Sequence, residues 1–107
     1  MKKVGRPHKI RMVRSLPKIT QFSPRGKPGR PEEVELSLDQ LEALRLADYE
    51  GLEQDAGAKI MRVSRPSFGR ILRQARYVIA DGIVNGKIIR IQGGHVQQAI
   101  KPAKISI

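Results

Sequence analysis

Apolar residues recur with a helical period in three stretches of this chain, and residues that start or stop helices frame each stretch. Leu38, Leu41, Leu44 and Ala47 recur at threes after Ser37-Leu38-Asp39-Gln40. That tetrapeptide is a capping box: the serine hydroxyl accepts from the backbone three residues on while Gln40 reaches back. Gly51 supplies a stop, so the pattern predicts a helix over about 38–49. A shorter pattern from about Glu53 to Met61 offers Ala56, Ala58, Ile60 and Met61 for packing. After Arg62-Val63 comes Ser64, a good N-cap, and then Pro66, which is tolerated in a first turn because its missing amide would be unpaired anyway. A short helix, a tight turn and a capped longer helix over about 65–80 form the helix-turn-helix arrangement.

Wheel arithmetic separates the faces of that last helix. With Arg65 at zero and about 100° per residue, Phe68, Ile71, Leu72, Ala75, Val78 and Ile79 fall between roughly 220° and 340°. Arg73, Tyr77 and Arg70 fall at roughly 80°, 120° and 140°, with Arg65 and Arg76 at the flank near 0° and 20°. One face is core and the opposite face is guanidinium. Arginine can bind guanine N7 and O6 bidentately or grip a phosphate through its fork, so this face suits a major groove. Residues early in such a helix meet base edges, which favours Arg65, Ser67, Gly69 and Arg70; Arg73 and Arg76 are expected to clamp phosphates. With the cap Ser64 and with Tyr77 they make the candidate contact set. The alternative is a solvated basic face on a packing helix.

Beyond this, Asn85-Gly86 signals a turn, and Lys87-Ile88-Ile89-Arg90-Ile91 is a β-prone run ended by Gly93-Gly94. A lone strand is unstable, so it should pair near Val34 to Leu36 or with a partner subunit. A two-stranded wing is the less favoured option, because the run is the one clear strand candidate. Upstream, prolines 7, 17, 24, 28 and 31, with Gly5, Gly26 and Gly29, predict an extended arm. Ile10, Met12, Val13, Leu16, Ile19 and Phe22 can anchor that arm on the domain. Gly5-Arg6-Pro7 and Gly29-Arg30-Pro31 match the core of minor-groove hooks, although two ordinary turns are the commoner reading. Arg6, Lys9, Arg11, Arg14 and Arg30 are its candidate DNA contacts. The expected organisation is an arm over 1–32, a domain over 33–95 and a tail over 96–107, whose stretch from Gln97 to Ile107 reads as a tail or an interaction strand.

The charges change this picture more by position than by sum. The chain has 107 residues and a net charge of +11, consistent with one small domain and a polyanionic partner. Residues 1–31 carry ten cations and no anion, 32–57 carry nine anions and one cation, and 58–107 carry ten cations and one anion. Such segregation suggests two cationic surfaces flanking an acidic one. A domain this small leaves little room for a deep substrate cleft, which disfavours an enzyme. Glu42, Asp48 and Glu50 have no His, Cys or paired acid at a diagnostic spacing, so they read as structural rather than catalytic. The chain has no Cys, which excludes a disulfide framework and thiol chemistry and agrees with a reducing cytoplasm. His8 and His95 alone make a metal site improbable. No phosphate loop is present, so no cofactor is expected. There is no long apolar run, so no membrane partner is expected, and the basic N-terminus lacks the apolar region of a secretory signal.

Taken together, Arg6-Pro7, Pro17, Phe22-x-Pro24-x-Gly26, the run from Glu42 to Leu52, Met61-x-Val63-Ser64-Arg65, Phe68-x-Arg70-Ile71-Leu72, Ala75-Arg76, Gly86-Lys87 and Ile91-x-Gly93-Gly94 resemble a known family. It comprises small, uncharacterised bacterial and archaeal DNA-binding proteins whose helix-turn-helix is similar to region four of the principal sigma factors. The resemblance covers most of the chain and implies DNA binding and transcription regulation. Arg62 stands where the family has a turn glycine, and Pro66 replaces the threonine that follows the Ser-Arg pair. Gly57 replaces a small alanine, at about 1 kcal/mol of helix propensity. Ile10 stands where many members carry Cys, so no metal or redox role of that Cys transfers.

The resulting expectation is a mainly α, helix-turn-helix domain of about three helices, with a short C-terminal strand and an extended basic N-terminal arm. It would be a cytoplasmic protein that binds double-stranded DNA without catalysis. A homodimer and a contact with RNA polymerase or another protein are its further candidate partners. The rival readings are an RNA-binding or ribosome-associated basic protein and an adaptor using the acidic helix around 38–55.

Overall fold

Ser37 and Gln40 close the capping box that the sequence announces: the Gln40 amide donates to Ser37 Oγ at 3.3 Å and the Ser37 amide donates to Gln40 Oε1 at 3.0 Å. Helix α1 (Leu38–Leu44) begins there and runs into a π-helical turn, Arg45–Tyr49. The computed structural model describes residues 10–26 and 29–99. After the π turn come α2 (Gln54–Met61) and α3 (Arg65–Asn85), the latter capped by Ser64, whose side chain accepts from the Ser67 amide at 3.2 Å. Helix α3 runs five residues past the expected end near 80, up to Gly86, which caps it with a φ of 64°.

The fold mixes helices and strands rather than being mainly α. Five short strands surround the three helices: β1 (Arg11–Val13), β2 (Gln21–Phe22), β3 (Glu33–Leu36), β4 (Ile88–Ile91) and β5 (Val96–Gln98). Strand β4 is central in a three-stranded sheet, antiparallel to β2 and parallel to β3. Its pairing with β3, Val34 opposite Ile89 and Leu36 opposite Ile91, is the first of the two alternatives the sequence left open. The extended arm is corrected from Arg11 onward. Strand β1 pairs in parallel with β5, and β2 completes the sheet, so the proline-rich stretch is bound into the fold wherever a few β-prone residues lie between prolines.

Two apolar clusters hold the helices and the sheet together. Ala43, Leu46, Ala58, Met61, Phe68, Ile71 and Leu72 fill the space among the three helices, and Leu36, Ala75, Ile89 and Ile91 seal α3 onto the sheet. Two glycines set these contacts. A Cβ on Gly57 would lie 2.5 Å from the Phe68 ring, and one on Gly82 would lie 2.6 Å from Ile89 Cγ1. Phe68 therefore occupies the volume that a side chain at 57 would need. It is fully buried, worth about 1.5–3 kcal/mol by transfer alone.

The turn between α2 and α3 answers the question that Arg62 poses. Arg62 adopts the left-handed conformation, φ 59° and ψ 45°, and its amide donates to Lys59 O at 3.1 Å while the Val63 amide donates to Ala58 O at 3.0 Å. These two bonds satisfy the last carbonyls of α2, with Val63 packed against the core. An L-residue pays about 1–2 kcal/mol for this conformation, and glycine loses about 0.5–1 kcal/mol of that advantage through chain entropy. Arg62→Gly is therefore expected to raise stability by about 0.5–1 kcal/mol, read as a higher urea midpoint with an unchanged slope. An unchanged or lower midpoint would contradict this account of the turn.

Candidate nucleic-acid interface

The Ser64 cap fixes the start of α3 and, with it, the direction of every side chain that follows. Ser64 Oγ lies 3.0 Å from Ser67 Oγ, and Arg70 Nη2 donates to Ser67 Oγ at 3.4 Å. The wheel separates the faces as expected: Phe68, Ile71, Leu72 and Ala75 are buried, while Arg65, Arg70, Arg73, Arg76 and Tyr77 are exposed. Val78 and Ile79 are half-buried. Arg62 and Lys59, from the turn and the end of α2, are exposed as well.

The arginines of this face are not equivalent. Arg76 grips Asp48 of the π turn with both branches of its guanidinium, Nη2 to Oδ1 at 2.7 Å and Nε to Oδ2 at 3.1 Å. That pair holds the Asp48 carboxyl below the usual carboxylate range and raises the guanidinium's own pKa. Arg65 lies 3.6 Å from Asp55 of α2. Among the described residues, neither Arg70 nor Arg73 forms an ion pair. Arg73 also borders a groove of about 470 Å³ with Gln40, Gln74, Tyr77 and Val78, so the exposed face continues toward the start of α1.

Gly69 plays a different part from the base contact expected of it. It is buried, and a Cβ there would sit 3.1 Å from Gln54 Oε1. Its absent side chain lets Gln54, the first residue of α2, lie against α3 beside Arg73. Sequence reasoning missed Gln54, and the only available signal was its place at the head of the first helix of the motif.

The arm residues divide. Arg11 lies 3.3 Å from Asp39, and Arg14 contacts both Glu42, at 3.7 Å, and Glu50. Their guanidiniums are therefore engaged by carboxylates of α1 and the loop after the π turn, instead of projecting as arm cations. The Arg14 amide also donates to Glu42 Oε2 at 3.1 Å, and Arg45 Nη2 lies 3.3 Å from Glu42 Oε1. Arg30 is exposed and lowers the pKa of nearby Glu33, whose main partner is Arg90. Arg6 and Lys9 lie outside the described residues. The acidic surface is depleted by the same pairs, since Glu42 is only 1% exposed and Glu50 is bound to Arg14. Among the described residues no three His, Cys, Asp or Glu are grouped to hold a metal, and no helix is long and apolar enough to cross a membrane.

Comparison with known proteins finds relatives that match most of this chain. It is 53% identical over 91 residues to a UPF0251 protein of Thermoanaerobacter pseudethanolicus, covering 84% of this chain and 77% of that one. A UPF0251 protein of Caldanaerobacter subterraneus is 55% identical over 91 residues, with the same two coverages. One from Dehalococcoides mccartyi is 45% identical over 98 residues, covering 91% of this chain and 84% of the relative. No solved structure matches. The family model described as "Protein of unknown function DUF134" matches residues 1–99, and the chain belongs to that family.

Proposed function

We propose that the chain binds double-stranded DNA in a sequence-specific manner, with the outer face of α3 in the major groove, and that it regulates transcription. The observation that carries this reading is the exposed arginine face opposite the buried apolar face of a capped helix. Arg70 and Arg73, engaged by no carboxylate among the described residues, are its base-reading and phosphate-reading members. Arg65 and Arg76 must first leave Asp55 and Asp48. A phosphate matches the Asp48 carboxylate in charge and fork geometry, so exchange at Arg76 swaps one charge-assisted pair for another.

Affinity for duplex DNA, duplex RNA and single strands, each at two salt concentrations, tests the proposal. Duplex DNA should bind tightest and lose affinity steeply with salt. Equal binding to all three would sink it. Within the interface, Arg70→Ala should cost about 1–3 kcal/mol on the preferred sequence and relax preference at one base. Arg76→Ala should weaken all sequences alike and reduce the salt slope by about one. The same loss profile for both variants would contradict this division of roles.

A further inference from the structure

The outer face of α3 changes character along its length. From Arg65 to Arg76 it presents guanidiniums, and beyond them the same face presents Tyr77, Ala80, Ile83 and Val84. Spacings of three, four and seven put these four on one stripe. Tyr77, Ile83 and Val84 are 70%, 71% and 77% exposed. Ile83 also lines a groove of about 210 Å³ with Phe22, Pro24 and Ile89, and Phe22, on edge strand β2, is 56% exposed. The stripe and the edge strand thus meet at one mostly apolar groove, whose lining also includes Ser23 and Lys87.

We infer that a second copy of the chain docks on this surface about a twofold axis, presenting two arginine faces to one duplex. The inference rests on the reading of α3 as the DNA-contacting helix. Single exposed apolar residues are ordinary, but a contiguous patch marks an interaction site. Phe22, Tyr77, Ile83 and Val84 together expose on the order of 500 Å² per copy. A twofold contact covering them on both copies removes about 1,000 Å² before any polar rim, the size at which a specific interface begins.

Geometry selects a second copy over another partner. The cationic and apolar segments share one face of one helix, so a twofold contact at the apolar end sets the two arginine faces opposite each other across the axis, as a fork that straddles one duplex. Arg70 and Ile83 are separated by about 20 Å along the helix at 1.5 Å per residue. Two such levers open to at most about 40 Å between the two Arg70 positions. Copies carrying +11 each repel, whereas an apolar contact is insensitive to screening, so salt favours the pair while weakening the grip on DNA.

Sedimentation of the full chain at 0.15 M and 0.5 M salt tests the inference. A monomer–dimer equilibrium should appear, no weaker at the higher salt. Ile83→Glu and Val84→Glu should each raise its dissociation constant at least tenfold, with the melting temperature unchanged at concentrations where the wild type is monomeric, because both positions are exposed. On DNA, these variants should still bind a single half-site but lose cooperative binding to a two-half-site duplex. A wild-type chain that stays monomeric at both salts overturns the inference. So do variants whose melting temperature is lowered even at concentrations where the wild type is monomeric, which would show the patch to be covered by its own chain. Dimerisation with no preference for duplex DNA would instead overturn the DNA reading and leave the docking surface standing.

Discussion

Replacing both Arg14 and Arg45 by methionine is expected to destabilise the fold by about 3 kcal/mol, because it strands the Glu42 carboxylate. Glu42 is 1% exposed at the centre of α1, with Arg14 3.7 Å away on one side, Arg45 3.3 Å away on the other and the Arg14 amide donating to Oε2. Breaking a buried ion pair by removing one partner costs about 3–5 kcal/mol, since the charge left behind stays desolvated. The surviving Arg14 amide bond puts this case at the low end. Either arginine alone should cost less, because the other still faces the carboxylate. Adding Glu42→Gln to the double variant should recover more than half of the loss, as the amide keeps an acceptor for Arg14 N without a buried charge. The cycle is read from urea midpoints. If the triple variant is no more stable than the double one, the charge is not the cause.

The second large effect lies where α2 crosses α3. Phe68→Ala is expected to cost about 3–5 kcal/mol by removing a fully buried ring from the larger apolar cluster. Gly57→Ala, which propensity alone would make favourable by about 1 kcal/mol, is expected to destabilise instead. Its Cβ would come within 2.5 Å of the ring carbon and 2.7 Å of the next, so helix or ring must move, at about 1–3 kcal/mol. In the Phe68→Ala background the obstruction is gone, and Gly57→Ala should turn stabilising. A cost that persists there would mean that the backbone of α2, and not the ring, sets the contact. The same pair explains why a glycine is tolerated in the middle of α2: the propensity it gives up is outweighed by the aromatic ring it admits.

Local features of this fold were legible in the sequence, and long-range ones were not. The capping box at Ser37, the cap at Ser64 and the faces of α3 follow from spacing and from side-chain chemistry within a few residues, whereas for the strand Ile88–Ile91 the sequence left its partner open between Val34–Leu36 and a second subunit. The π turn left no trace, because Arg45–Tyr49 carries the same periodic pattern as an α-helix and differs only in which carbonyl each amide chooses. Charge segregation was visible but its meaning was not. Blocks of opposite sign read as separate surfaces, yet Arg11 and Arg14 meet Asp39, Glu42 and Glu50 of the acidic stretch. Only the pairing of β1 with β5, which lays the basic segment along α1, reveals that part of the two blocks cancels internally. In the candidate interface the arginine face was readable from the wheel, whereas the roles of Gln54, Gly69 and Asp48 depended on how neighbouring helices pack.

The parallel pairing of Arg11–Val13 with Val96–Gln98 also sets an order of events in folding. Its partners stand about 85 positions apart, and closing a loop of that length costs roughly 4 kcal/mol of chain entropy beyond a constant. The three helices, by contrast, contact neighbours close in sequence, so their cluster can form first and hold the two ends near each other. In a folding experiment, substitutions at Val13 should then leave the folding rate nearly unchanged and speed unfolding, while those at Leu46 or Leu72 slow folding itself. The clasp that ties the two ends of the described chain together is in this sense the last contact made and the first released.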